Sequence, residues 1–184
     1  VFDALDESSL TEYYVGAGAI VQSVWNEITD KHQNYGISDI DIIYYNADDI
    51  TEDEEKRITK EIKEKITGFP LKLDVKNEAR VHLWYKEKFG YEIEPYKSLE
   101  DAINSWPTTS TSLGVRREGQ NQWIVYAPFG VDDIFDLKLV SNCRQITEDI
   151  FIQKVEKWTK RWNELRVEKW TGEIIPILYP KVIR

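Results

Sequence analysis

The sequence predicts an α+β fold: a mixed β-sheet with helices packed mainly on one face. Three observations carry that expectation. A helical apolar repeat over residues 19–28 is followed by a strand-like apolar run over 37–45, so helix and strand alternate early. Extended segments then cluster, around 71–75, 79–84 and 122–127. The 184 residues include seven Trp and ten Tyr, with no internal repeat and no low-complexity linker, enough for one sizeable core. One domain over 1–184 is expected, with a core over about 13–140, a helix over about 148–166 and a tail, 167–184, docked on the sheet or its edge.

Taken in order, residues 10–15 read as a lead-in to Gly16 and Gly18. The helix over 19–28 follows, with Ile20, Val21, Val24, Trp25 and Ile28 on one side. A polar loop, 29–36, precedes the strand. Thr51 is an N-cap with Glu54 three residues on, and the acids of 52–55 suit the positive end of a helix dipole. Ile58, Ile62 and Ile66 form a narrow apolar stripe, and Gly68 and Pro70 end that helix. Residues 98–106 form a short helix stopped by Pro107. The last long helix carries Phe151, Val155, Trp158, Trp162 and Leu165 on one face, a core stripe rather than a stacking platform for bases. Residues 174–183 are apolar and broken by proline.

Composition excludes several classes of function. Cys143 is the single cysteine, so no intrachain disulfide forms, and His32 and His82 alone cannot complete a zinc site. A reduced, cytoplasmic setting is the natural expectation. No stretch is apolar enough to span a bilayer, and the opening residues are acidic where a signal peptide is basic, so no membrane partner is expected. The lack of any Met leads to the expectation that the natural start lies upstream. A net charge of −9 argues against non-specific binding to nucleic acid or anionic membrane.

The chemistry-bearing feature is Asp39-Ile40-Asp41. Side chains two apart on a strand share a face, so the two carboxylates project together while Ile40 and Ile42 point into a core. Paired carboxylates at a strand end suit hard divalent cations. In a chain with 14 Asp such spacing arises about once by chance, and an ordinary solvated strand end is the competing reading. Context adds weight: Asp74, between Leu73 and Val75, is a third acid facing away from core residues. Gly16 and Gly18 either permit close packing of helix on sheet or let backbone N–H groups approach phosphates. Val21 stands where a dinucleotide fingerprint needs its third glycine, which disfavours a Rossmann site.

Val15-Gly16-Ala17-Gly18-Ala19-Ile20, Val24-Trp25-Asn26 and Ser38-Asp39-Ile40-Asp41-Ile42 together resemble the opening of the polymerase-β-like nucleotidyltransferase superfamily. The chain is similar above all to the head domain of CCA-adding enzymes, and more narrowly to a bacterial family of nucleotidyltransferases. Segments 74–84, 106–109, 114–116 and 127–133 extend the resemblance over about 13–165. It implies the nucleotidyltransferase fold, with Asp39, Asp41 and Asp74 holding two Mg²⁺ ions as catalytic and metal-binding residues. It also implies an NTP substrate contacted by Gly16, Gly18, Gln22 and Arg80. A nucleoside monophosphate would pass to an acceptor hydroxyl as pyrophosphate leaves, with Asp74 nearest that hydroxyl. The acceptor expected is a small molecule or a protein side chain rather than nucleic acid. The alternative is a catalytically inactive nucleotide-binding or protein-interaction module on the same fold, and a third reading is a toxin-type transferase acting on tRNA. Three departures from the superfamily pattern stand out: Ala17-Gly18 where Gly-Gly or Gly-Ser is usual, a longer gap from Gly18 to Asp39, and Val21-Gln22 in place of Arg-Asp.

Other positions have plainer readings. Arg80 and His82 alternate onto one strand face, where they contact phosphate or base or else form a salt bridge and a satisfied histidine. Residues 108–112 suit turn chemistry, Asp132 and Asp133 a helix start, and the basic run 154–161 a solvated helix face.

Overall fold

Of residues 10–15, expected as a lead-in, 13–15 instead contribute to the middle of the sheet in the computed structural model, which describes residues 1–66, 68, 70–119, 122–177 and 181–183. A short helix, α1 (Phe2–Asp6), leads into β1 (Tyr13–Gly16), buried along its whole length. The chain then forms α2 (Ala17–Ile28), β2 (Asp39–Tyr44), α3 (Glu52–Lys65) and β3 (Lys72–Asn77). After a 3-10 turn (Glu78–Arg80) come α4 (Val81–Phe89), α5 (Leu99–Ile103), β4 (Gly114–Glu118) and β5 (Gln122–Ala127). The remainder is α6 (Asp132–Phe135), β6 (Lys138–Leu139), α7 (Glu148–Thr159), β7 (Arg166–Val167) and β8 (Lys181–Ile183). The sheet order is β3-β2-β1-β4-β5-β8; β2 and β3 run parallel around the α3 crossover, and the other pairs are antiparallel. Of the tail, residues 178–180 and 184 lie outside the described residues.

The fold is α+β, and its layers follow from strand alternation. Ile40, Ile42, Tyr44, Leu73 and Val75 face one side and pack with Ile58 and Ile62 of α3 and Leu5 of α1. On the same side, Val21 and Trp25 of α2 meet Phe151, Val155 and Trp158 of α7. Ile42, Ile62 and Trp25 are fully buried, each contributing about 1.5–3 kcal/mol relative to exposure, more for the indole. On the opposite face Tyr14 and Ile43 are covered by Leu99 and Ile103 of α5. That cover stops short of Asp39, Asp41 and Asp74, which remain partly exposed on this face.

Two further elements differ from expectation. Segment 79–84 is not a strand. Asn77 Oδ1 accepts from the Ala79 N–H at 3.2 Å and starts the 3-10 turn that opens α4. Val81 and Tyr85, four apart, are the buried pair, and Gly90 ends the helix at φ +87°. A short apolar run fits either period, and here the cap decides it. The last helix ends at Thr159 rather than near 166. Trp162 is nonetheless fully buried, its Nε1 donating to Asn26 Oδ1 at 2.8 Å. Beyond it the Arg166 and Glu168 N–H groups donate to Leu137 and Leu139 carbonyls at 2.8 and 2.9 Å, drawing the chain into β7 beside β6.

Candidate active site

The period of β2 places Asp39 and Asp41 on one face, and the parallel register sets Asp74 of β3 directly beside Asp41. Three carboxylates therefore share one corner of the sheet. Asp39 Oδ1 accepts from Ser38 Oγ at 2.9 Å, and Asp74 Oδ1 pairs with Lys76 Nζ at 3.1 Å. Burial first, then the charges of Asp39 and Asp74, push the Asp41 carboxyl up from an ordinary 3.8 to about 6. Lys154 of α7 and then Lys76 oppose that shift. The corner holds more negative charge than its neighbours neutralise, and a bound divalent cation would relieve the excess.

The glycine segment lies beside one of these carboxylates, Asp41. Gly16 ends β1 and caps α2 in an extended conformation, with no side chain capping the first helical N–H groups. A Cβ on Gly16 would lie 2.7 Å from Trp106 Cη2 and 3.4 Å from Asp41 Cβ, so only glycine fits without displacement. A Cβ on Gly18 would lie 3.7 Å from Asp41 Oδ2 and 3.4 Å from Gln22 Nε2. The open first turn of α2, its positive dipole end, thus lies against Asp41. Gln22 Oε1 is buried with no hydrogen-bond partner among the described residues.

Donor chemistry fits a magnesium-type ion, with three carboxylates and no thiolate or imidazole. Among the described residues no three His, Cys, Asp or Glu side chains already converge on one point. Lys76 holds Asp74 and Ser38 holds Asp39, so closing the three around a cation requires carboxylate rotation and release of Lys76.

Asp39, Asp41, Asp74, Gly16, Gly18 and Gln22 come together; Arg80 is engaged elsewhere. Its Nη1 donates to Glu55 Oε1 at 2.8 Å and its Nε to the Ile50 carbonyl at 3.2 Å, tying α3 to the 3-10 turn. Because 79–84 is not a strand, Arg80 and His82 do not share a strand face, and His82 Nδ1 is buried without a partner among the described residues. Residues 108–112 make turn bonds, such as Thr108 Oγ1 to Thr111 Oγ1 at 2.7 Å, and Thr109 Oγ1 donates to Asp133 Oδ2 at 2.6 Å.

Three residues at or near the corner escaped sequence reasoning. Lys76 was legible as the charge two positions after Asp74. Glu78, 6% exposed, follows β3, and burial ahead of the nearby Asp41 and Glu55 charges pushes its carboxyl up to about 8. Lys154 lies in the run read as a solvated face. Its side chain has solvent-exposed area, but surrounding protein pushes its ammonium below the ordinary lysine range, with the Asp41 charge opposing. Nothing local in the sequence connects position 154 with Asp41.

Comparison with known proteins adds two findings. A family model described as "Nucleotidyltransferase" matches residues 3–167. The fold is similar to that of a protein whose solved NMR structure is described as revealing a CCA-adding enzyme head domain, with TM-score 0.69 and 21% identity over 92% of this chain and 94% of that one. No curated protein matches the chain in sequence.

Proposed function

The chain belongs to the nucleotidyltransferase family, and from that premise we propose that it moves a nucleoside monophosphate from an NTP to an acceptor hydroxyl by a two-metal mechanism. The observation that carries this reading is Asp41 in register with Asp74 and lying beside the open first turn of α2, where a Cβ on Gly18 would come within 3.7 Å of its Oδ2.

Asp39, Asp41 and Asp74 would hold two Mg²⁺ ions, which supply charge stabilisation for the attacking and leaving oxygens of an in-line displacement. The uncapped N–H groups after Gly16 and Gly18 suit the triphosphate, since helix N-termini bind anions. Ala17 offers no hydroxyl there; Lys154 offers a cation and Gln22 an unpartnered amide oxygen able to accept from the nucleotide. Asp74 is the proton acceptor for the incoming hydroxyl. Arg80 is left to position α3 against β3 rather than to contact nucleotide. We read 1–184 as one such domain with a cytoplasmic setting, and the −9 charge favours a small molecule or protein side chain over nucleic acid as acceptor.

A second reading, an inactive nucleotide-binding module, draws on the Asp74–Lys76 pair, which competes with metal. Calorimetric titration with each NTP at millimolar Mg²⁺, followed by assay of pyrophosphate release with cell extract as acceptor, separates the two. Binding with pyrophosphate release supports transfer, and binding without release supports the module. No binding of any NTP overturns both.

A further inference from the structure

Among the described residues the edge of the sheet nearest the carboxylates is open. β3 is the terminal strand of its side, and among those residues only its far end is closed, where the Asn77 N–H donates to Glu55 Oε2 at 2.8 Å. Upstream of Asn77, the outward backbone groups of β3 have no partner among the described residues. A groove of about 490 Å³ runs along this edge between β3 and α3. Its walls carry Lys56, Lys60, Lys63, Lys72 and Lys76, which outnumber the acids of the same walls, Glu52, Glu55, Glu64 and Asp74, on a protein acidic as a whole. Glu52 and Glu64 pair with Lys56 and Lys60, and Asp74 with Lys76; among the described residues Lys63 and Lys72 have no ion-pair partner.

We propose that this edge seats the acceptor, an extended protein segment that adds as a strand beside β3 and presents a hydroxyl side chain directly opposite Asp74. The inference rests on the transferase reading above. Directly opposed residues on neighbouring strands project from the same face with Cβ atoms about 4.5–5.5 Å apart, so a serine opposite Asp74 brings its hydroxyl to that carboxylate. Lys72 and Lys76 lie two residues either side of Asp74 on the same face. The matching segment therefore reads acid-x-hydroxyl-x-acid, its two acids opposing the two lysines. An acid opposite Lys76 also draws that ammonium off Asp74, so seating the acceptor frees the third carboxylate. In the transfer, the serine oxygen forms a bond to the α-phosphorus, and its proton goes to Asp74. The α–β phosphoanhydride breaks, and pyrophosphate leaves.

The test uses the full chain, isotopically labelled for NMR, and the peptide acetyl-Gly-Glu-Val-Ser-Val-Glu-Gly-amide, against an isomer with the acids moved next to serine. The expected result is shifts concentrated at the Leu73 and Val75 amides. The isomer should bind roughly tenfold more weakly. Lys72→Glu should lose the preference, and a peptide with lysine at the acid that opposes position 72 should restore it. With Mg²⁺ and NTP, mass spectrometry should find the nucleoside monophosphate on the serine of the first peptide. Absence of peptide-induced shifts at β3 overturns the acceptor site while leaving NTP binding, measured separately, to judge the transferase reading. Shifts at β3 that grow with protein concentration alone assign the edge to a second copy and overturn the proposal, as does stronger perturbation by an RNA oligonucleotide.

Discussion

Replacing Asp41 by Asn should make the metal-free protein more stable while removing its function. The Asp41 carboxyl is raised from 3.8 to about 6 by burial and by its acidic neighbours. At about 1.4 kcal/mol per unit, ionising it in the folded state costs roughly 3 kcal/mol. Asn keeps the shape and some polar burial but removes the charge, so a gain of about 1–3 kcal/mol is expected at pH 8. A raised acid makes the folded chain hold more protons than the unfolded one between pH 3.8 and about 6. This group's contribution to stability is therefore present below 3.8 and lost as pH rises through 6. The wild-type deficit should be near zero at pH 3.5, open through that window and be constant above pH 7. Urea unfolding of both proteins in chelator across this range measures it. Equal stability at pH 8, or a less stable Asn variant, would refute the picture of a crowded carboxylate corner.

Other consequences are equally open to measurement. Gly16→Ala drives a methyl into Trp106 and should cost about 1–3 kcal/mol by overpacking, read by thermal melting together with a change in tryptophan fluorescence. Lys76→Gln removes the cation that competes for Asp74 and should raise Mn²⁺ affinity roughly three- to tenfold by calorimetry. Asn26→Ala deletes the side chain that donates to the Gln33 and Tyr35 carbonyls and accepts from Trp162. It should destabilise by about 3 kcal/mol or more in urea titration, since buried groups lose their partners.

What the sequence disclosed depended on how local each signal was. The β2 carboxylates were legible because strand period alone fixes which side chains share a face, and Asp74 because its neighbours Leu73 and Val75 are core residues on the other side of the sheet. The Thr51 cap was legible for the same reason; its hydroxyl accepts from the Glu54 N–H at 3.3 Å. β1 was missed because its four residues are too few to show a period, though their burial is complete. Segment 79–84 showed an alternation that a cap four residues upstream of Val81 overrides. The course of the chain after α7 is set by the pairing of β7 with β6, some 28 residues earlier, and by the bond from Trp162 to Asn26. Lys154 is likewise a product of tertiary structure: α7 carries it to within electrostatic reach of a strand more than a hundred residues before it.

The carboxylate corner as a metal centre is tested most directly by Mn²⁺, whose unpaired electrons broaden nearby amide resonances, in wild type and in Asp39→Asn and Asp41→Asn variants. The account predicts that sub-stoichiometric Mn²⁺ broadens the amides of Gly18, residues 39–41 and Asp74 before any others, and that either variant abolishes this pattern. Broadening centred elsewhere on the acidic surface, or persisting unchanged in both variants, would contradict it.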